Sequence, residues 1–147
     1  MQPFTDEYYM KQALVEAFQA ADEGEVPVGA VIVCNEQIIA RGHNQTERLN
    51  DVTAHAEMIA ITSATGALGA KYLTECRLYV TVEPCVMCAG AIGWAQFATV
   101  IYGTPDEKRG FSRYAPHALH PKTKVRAGIL ETECADVMKN FFKKIRD

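Results

Sequence analysis

A chain of 147 residues, 48% hydrophobic and 22% charged, has the size and composition of one globular domain able to bury a sizeable core. No apolar run approaches the roughly 20 residues a membrane-spanning helix needs. The start, Met1-Gln2-Pro3-Phe4-Thr5-Asp6-Glu7, has neither a basic nor an apolar signal region, so a cytoplasmic protein without a membrane partner is expected.

Thr5 is placed to cap a first helix, with Asp6 and Glu7 in the first turn, where the dipole favours acids. Met10, Ala13, Leu14, Ala17, Phe18 and Ala21 form its core stripe, and Gly24 is the expected stop. The β-branched run Val26 to Cys34 and the segment Gln37 to Gly42 read as a hairpin reversing at Asn35-Glu36. Gly29 within it either relieves packing or lets a ligand approach the backbone. A polar loop runs from His43 to Asp51. Thr53 is the expected cap of a helix over 54–65 that Gly66 ends. Cys76 to Val82 reads as a third strand, broken by Glu83-Pro84, and Pro84 suits the start of a helix over 85–95. Ala98 to Tyr102 is a fourth strand. Residues 104–123 read as irregular, 124–130 as a fifth strand, and Glu133 to Arg146 as a last helix with Val137, Met138, Phe141, Phe142 and Ile145 at core spacing. Strands alternating with helices predict an α/β layered domain with a partly parallel sheet.

The net charge of −3 gives no hint of nucleic acid, but its distribution is uneven. Residues 1–107 hold 5 Lys/Arg against 14 Asp/Glu, and residues 108–147 hold 10 against 4. Such asymmetry marks either a basic surface for an anionic partner or a solvated C-terminal helix.

The chemistry is concentrated in two short stretches, His55-Ala56-Glu57 and Pro84-Cys85-Val86-Met87-Cys88. One imidazole and two thiolates suit zinc. The five Cys, an odd number, argue against a disulfide framework. A lone Cys-x-x-Cys is also compatible with redox chemistry or structural zinc. Redox chemistry leaves His55 and Glu57 unexplained, and a structural site needs a fourth ligand that no other Cys or His supplies at suitable spacing. Three ligands with a carboxylate nearby describe a catalytic zinc with one open position. Both stretches fall at predicted helix starts, where the dipole favours thiolates. Cys85 and Cys88, at i and i+3, share one face. Glu57 is placed to move protons as a C–N bond is hydrolysed.

The His-x-Glu and Pro-Cys-x-x-Cys pair matches the signature of zinc nucleobase deaminases. Thr53-Ala54-His55-Ala56-Glu57 and Glu83 to Ala91 resemble the zinc-dependent cytidine/deoxycytidylate deaminase superfamily. Glu25 to Val31, His43-Asn44 and Tyr102 to Lys108 resemble its branch of bacterial tRNA-specific adenosine deaminases. The resemblance runs from about Asp6 to Phe142. It implies a three-layer α/β/α fold with a central mixed, five-stranded sheet, hydrolysis of the wobble adenosine in a tRNA anticodon stem-loop to inosine, and a homodimer. It implies that His55, Cys85 and Cys88 hold zinc and that Glu57 shuttles protons. It further implies that Asn44 hydrogen-bonds the flipped base, that Val28 and Pro84 wall the pocket, that the Ala56 N–H faces the ring, and that Asp106 and Lys108 touch the flanking ribose-phosphate. Asn44 and Asp106 also suit plain turns.

The chain departs from that branch at Ile92-Gly93-Trp94-Ala95-Gln96, where a His-Ser-Arg-like segment is usual. It departs again at Arg109 to His117, where small residues are usual. In the second segment Phe111 and Tyr114 among Arg109 and Arg113 fit either stacking on splayed bases or an ordinary loop with its aromatics tucked inward. Two other functions share these motifs: a deaminase of free guanine or cytosine derivatives, and a zinc-stabilised RNA-binding module without catalysis.

Overall fold

The computed structural model describes residues 4–146. Residues 1–3, part of the start read above for a targeting signal, and Asp147 lie outside the described residues. The elements are α1 (Asp6–Asp22), β1 (Gly29–Cys34), β2 (Gln37–His43), α2 (Ala56–Leu68), β3 (Cys76–Val82), α3 (Val86–Ala95), β4 (Thr99–Thr104), α4 (Phe111–Tyr114), β5 (Lys124–Ala127) and α5 (Glu131–Arg146). Thr5 caps α1 as expected, its Oγ1 accepting the Tyr8 N–H at 3.0 Å. Asn35 and Glu36 turn the hairpin with φ of 52° and 64°, the pair of positive angles that a two-residue reversal matched to strand twist requires.

The sheet order is β2-β1-β3-β4-β5. β1 runs antiparallel to both neighbours, whereas β3, β4 and β5 are parallel. Alternate strand residues feed two separate cores. Ile32, Leu78, Val80, Val100 and Tyr102 pack with Ala56, Ala60, Ala89 and Ile92 of α2 and α3. Val31, Val33, Tyr79 and Ile101 pack with Tyr9, Met10, Ala13 and Val137 of α1 and α5. The period of two along each strand thus produces three layers, α/β/α, around a mixed five-stranded sheet. Asp6 ties the second layer to the sheet. It accepts the Tyr79 hydroxyl at 2.6 Å and pairs with Arg126 of β5 at 2.9 Å.

Several boundaries differ from the sequence reading. Thr53 does not cap α2. Its N–H and hydroxyl both go to Asp51 Oδ1, at 2.8 and 2.7 Å, in a local Asx turn. The cap position is His55, and α2 continues through Gly66 to Gly69, which ends it at φ 64°. β5 stops at Ala127 because Gly128 adopts φ 87°. The segment 104–123 contains the short helix α4, too brief to leave a periodic signature. Phe18, Phe142 and Ile145 fall on amphipathic stripes but stay 56%, 40% and 65% exposed. Spacing reveals that a helix has an apolar face, not whether the fold supplies enough surface to cover it.

The contact that seats α2 is made by a missing side chain. A Cβ at Gly42 would stand 2.6 Å from the Ala56 carbonyl oxygen and 2.9 Å from the Ala60 nitrogen, so the first turn of the helix rests directly on β2. Gly42→Ala is therefore expected to lower unfolding stability by about 1–3 kcal/mol, read from the urea midpoint. An unchanged midpoint would mean that α2 can shift without cost.

Candidate active site

The two chemical stretches occupy equivalent places. β2 ends at His43, and after a polar loop His55 takes the N-cap of α2 with extended backbone and no side-chain capping bond. β3 ends at Val82, and after Glu83-Pro84 Cys85 takes the N-cap of α3, again extended and without a side-chain capping bond. Neither side chain is spent on its own helix, which leaves the imidazole and the thiol for one another. Cys88 follows within the first turn of α3 and is fully buried.

His55 Nδ1 lies 3.6 Å from Cys85 Sγ and 3.5 Å from Cys88 Sγ. All three donor atoms are within 4.8 Å of one another, and among the described residues they form the candidate metal cluster. A tetrahedral zinc with ordinary bond lengths sets its N and S ligands about 3.6 Å apart, so these donors fit zinc in number, kind and separation. The thiols are unequal. Cys85 is held down to about 4, first by its bond from Cys88 and then by His55, against the opposing effect of burial. Cys88, donating that bond and buried, is pushed up. His55 is raised, chiefly by its bond with Cys85.

Glu57 lies beside the cluster, 4% exposed, and burial pushes its carboxyl up to about 7. It opens onto a cleft of about 260 Å³ that also takes in His55, Cys85, Asn44, Val28 and Asp106. Six of the expected site residues therefore meet around one space, with Cys88 beneath them.

Three expected residues stand differently. The Ala56 N–H is not open to a ring. It donates to Asn44 Oδ1 at 3.0 Å, because the first N–H groups of a helix need an acceptor and Asn44 supplies one. Pro84 is buried and not among the residues lining the cleft, its carbonyl accepting the Phe111 N–H at 2.9 Å. Lys108 is exposed and absent from the cleft lining, and its N–H bonds Asp106 Oδ1 at 3.0 Å. Arg109, Glu83 and Met138 line the cleft although the motifs did not point to them. Arg109 stood out only as one of several basic residues. Met138 arrives from α5, far along the chain, with no local signal.

The loop bearing Asn44 is itself held. Buried Glu25 accepts the Glu47 and Arg48 N–H groups at 3.1 and 2.8 Å and the Thr46 hydroxyl at 3.3 Å. Just before Asn44, His43 bridges Glu16 and Glu23, each at 3.1 Å.

Residues 3–104 match the cytidine and deoxycytidylate deaminase zinc-binding region. The chain is 44% identical to the tRNA-specific adenosine deaminase of Bacillus subtilis (strain 168) over 96% of its own length and 91% of that protein. It is 46% identical to the chloroplastic tRNA(adenine(34)) deaminase of Arabidopsis thaliana over 94% of its length, but spans only 12% of that much longer protein. A solved structure from studies of A-to-I editing by tRNA:A34 deaminases at the wobble position superposes with a TM-score of 0.83 at 43% identity, covering 88% of this chain and 98% of that one.

Elemental analysis of the purified chain is expected to give about one zinc per chain, with large losses in His55→Ala and in the double variant Cys85→Ser/Cys88→Ser. Full zinc content in both variants would place the metal elsewhere.

Proposed function

This chain belongs to the cytidine and deoxycytidylate deaminase zinc-binding family, and from that premise we propose that it is a tRNA-specific adenosine deaminase converting the wobble adenosine of an anticodon loop to inosine. The observation that carries this reading is a zinc-compatible His-Cys-Cys cluster with a buried carboxylate beside it, in a chain 44% identical to a bacterial enzyme of that name over nearly its full length.

His55, Cys85 and Cys88 hold the metal. Zinc bound there supplies the Lewis acidity that makes water a competent nucleophile near neutral pH. Glu57 handles the protons. A carboxyl lifted to about 7 is close to balance between its acid and base forms near neutrality. It takes one proton from the attacking water and gives it to the ring nitrogen, then takes the second from the newly added hydroxyl and gives it to the departing amine as the C–N bond breaks. Water adds at the amine-bearing ring carbon and ammonia leaves. Asn44, its Oδ1 held by the Ala56 N–H, presents its Nδ2 amide group to the base edge, Val28 forms one wall, and Asp106 and Arg109 stand at the rim, with exposed Lys108 just outside it, where flanking ribose and phosphate pass.

The reading extends to assembly and setting. The chain acts as one deaminase domain in the cytoplasm, and none of the described helices is long and apolar enough to cross a membrane. It works as a homodimer, a reading supported by the outer face of α3, where Val86, Met87 and Trp94, the last 81% exposed, lie uncovered. Trp94→Glu is expected to shift the chain to a monomer in sedimentation equilibrium. A wild-type monomer at all concentrations would remove the dimer from this account.

Incubating zinc-loaded protein with tRNAs that carry adenosine at the wobble position should yield inosine. No conversion across several such tRNAs, or ammonia release from guanine or cytosine instead, would sink the assignment. Glu57→Ala should keep its zinc and lose turnover by roughly 10²–10⁴-fold. Undiminished turnover in that variant would take Glu57 out of the chemistry.

A further inference from the structure

Glu83 is a buried acid that the reaction does not use. It stands in the turn between β3 and α3, two residues before Cys85, and is 5% exposed. A carboxylate so deeply buried is stable only if donors occupy its oxygens. Among the described residues no Lys, Arg or His forms an ion pair with it. Its partners come from one loop. Oε1 accepts the Asp106 N–H at 3.0 Å, and Oε2 accepts the Ser112 N–H at 3.0 Å and the Ser112 hydroxyl at 2.6 Å. Between them Gly110 lies directly on the carboxylate. A Cβ there would fall 2.4 Å from Cδ and 2.4 and 2.5 Å from the two oxygens.

The loop is thereby drawn across the start of α3. The Phe111 N–H bonds the Pro84 carbonyl at 2.9 Å, and Cys85 and Gly110 form an isolated antiparallel bridge. At the other end of the loop, Asp106 Oδ1 accepts the Lys108 and Arg109 N–H groups, both at 3.0 Å, which shapes the turn that brings Arg109 to the cleft. The rim residues Asp106 and Arg109 are thus located relative to the metal ligands by this carboxylate, together with the Phe111–Pro84 bond, the Cys85–Gly110 bridge and the buried Phe111 ring.

The geometry points to Glu83 as a positioning residue that selects the substrate's size class. It fixes the 106–112 rim so that the site engages a nucleotide within a chain, by its flanking ribose-phosphate, in preference to a free base. The inference rests on the deaminase reading above and deepens it. A residue that merely held the fold would, on substitution, reduce the active fraction and leave KM alone. A residue that places the rim should alter KM for the polynucleotide and spare the chemical step.

Two variants reach the same contact from opposite sides. Glu83→Gln keeps the shape but turns one acceptor into a donor, so either Asp106 or Ser112 loses its partner. Gly110→Ala puts a methyl group where the carboxylate stands. With tRNA as substrate, each is expected to raise KM about tenfold, the scale of a lost hydrogen bond to a charged group. The accompanying change in kcat should be within about threefold, and zinc content should stay near one per chain. The double variant should raise KM no further than the worse single one, because both act on one contact. Ser112→Ala, at an exposed position, gives a milder rise in the same direction and keeps the test open if Glu83→Gln does not fold. Active wild-type protein with unchanged KM in the variants, or with kcat and zinc falling while KM holds, overturns this inference alone. Inactive zinc-loaded wild-type protein overturns it together with the deaminase reading.

Discussion

Two helix starts have to arrive at one end of the sheet with their cap side chains unspent. Everything chemical about the molecule depends on that convergence. An N-cap residue usually turns its side chain onto its own helix. His55 and Cys85 do not, and their free donor atoms come within 3.6 Å of each other. The sheet makes this possible. α2 sits against β2 through the bare backbone of Gly42, and α3 follows directly from β3, which lies one strand away across β1. Two thiols and an imidazole brought this close have their donor atoms withdrawn from water and satisfied chiefly by one another. Their closeness becomes favourable when one thiol is a thiolate and a cation can share the three.

A second constraint is less visible but equally physical. The cleft is rimmed by loops with few apolar side chains of their own, Phe111 being the one that reaches the core from residues 106–112, and such loops need a further anchor. Here the anchors are buried acids. Glu25 gathers three donors from residues 46–48, and Glu83 gathers three from residues 106–112. Each acid replaces its hydration shell with N–H and O–H groups from a single loop, so desolvation and loop order are satisfied together. Among the described residues no buried side-chain nitrogen or oxygen lacks a partner. Burying a carboxylate is unfavourable unless every donor is in place, so this arrangement gives the rims a narrow choice of geometry.

These features also explain which parts of the molecule were legible in its sequence. The hairpin, the existence of α2 and α3 and the candidate metal donors could be read because each leaves a local mark: an Asn35-Glu36 reversal, apolar periodicity, a spacing of i and i+3, although the start of α2 falls two residues later than its expected cap at Thr53. The layered fold followed from the alternation of strand and helix. What stayed hidden has no local mark. Glu25 and Glu83 look like surface acids until the loops they hold are folded over them. Met138 joins the cleft only because α5 packs beside α1 on the same face of the sheet. The Asn44 bond to the Ala56 N–H joins residues twelve apart in the chain and exists only once the polar loop folds back over the start of α2. The exposed ends of α1 and α5 show the converse failure, an apolar stripe with nothing to cover it.

The same bookkeeping changes the meaning of the net charge. Of the acids in residues 1–107, Glu16, Glu25, Glu57 and Glu83 are buried, and Asp6 and Glu23 are engaged by Arg126, His43 and Arg48. Of the bases after residue 107, Arg126 is ion-paired, while Lys108, Arg109, Arg113, Lys122, Lys124, Lys139, Lys143, Lys144 and Arg146 are exposed. A buried charge still contributes to the field far from the protein. Within a screening length of about 8 Å, however, a ligand meets exposed groups first. The formal −3 therefore understates how positive the C-terminal part of the chain is at contact range. The cleft itself needs no such charge to hold a base. A long polyanion lying across its rim does, and the exposed bases of the C-terminal part are in water to meet it, while Glu25, Glu57 and Glu83 near the cleft are buried.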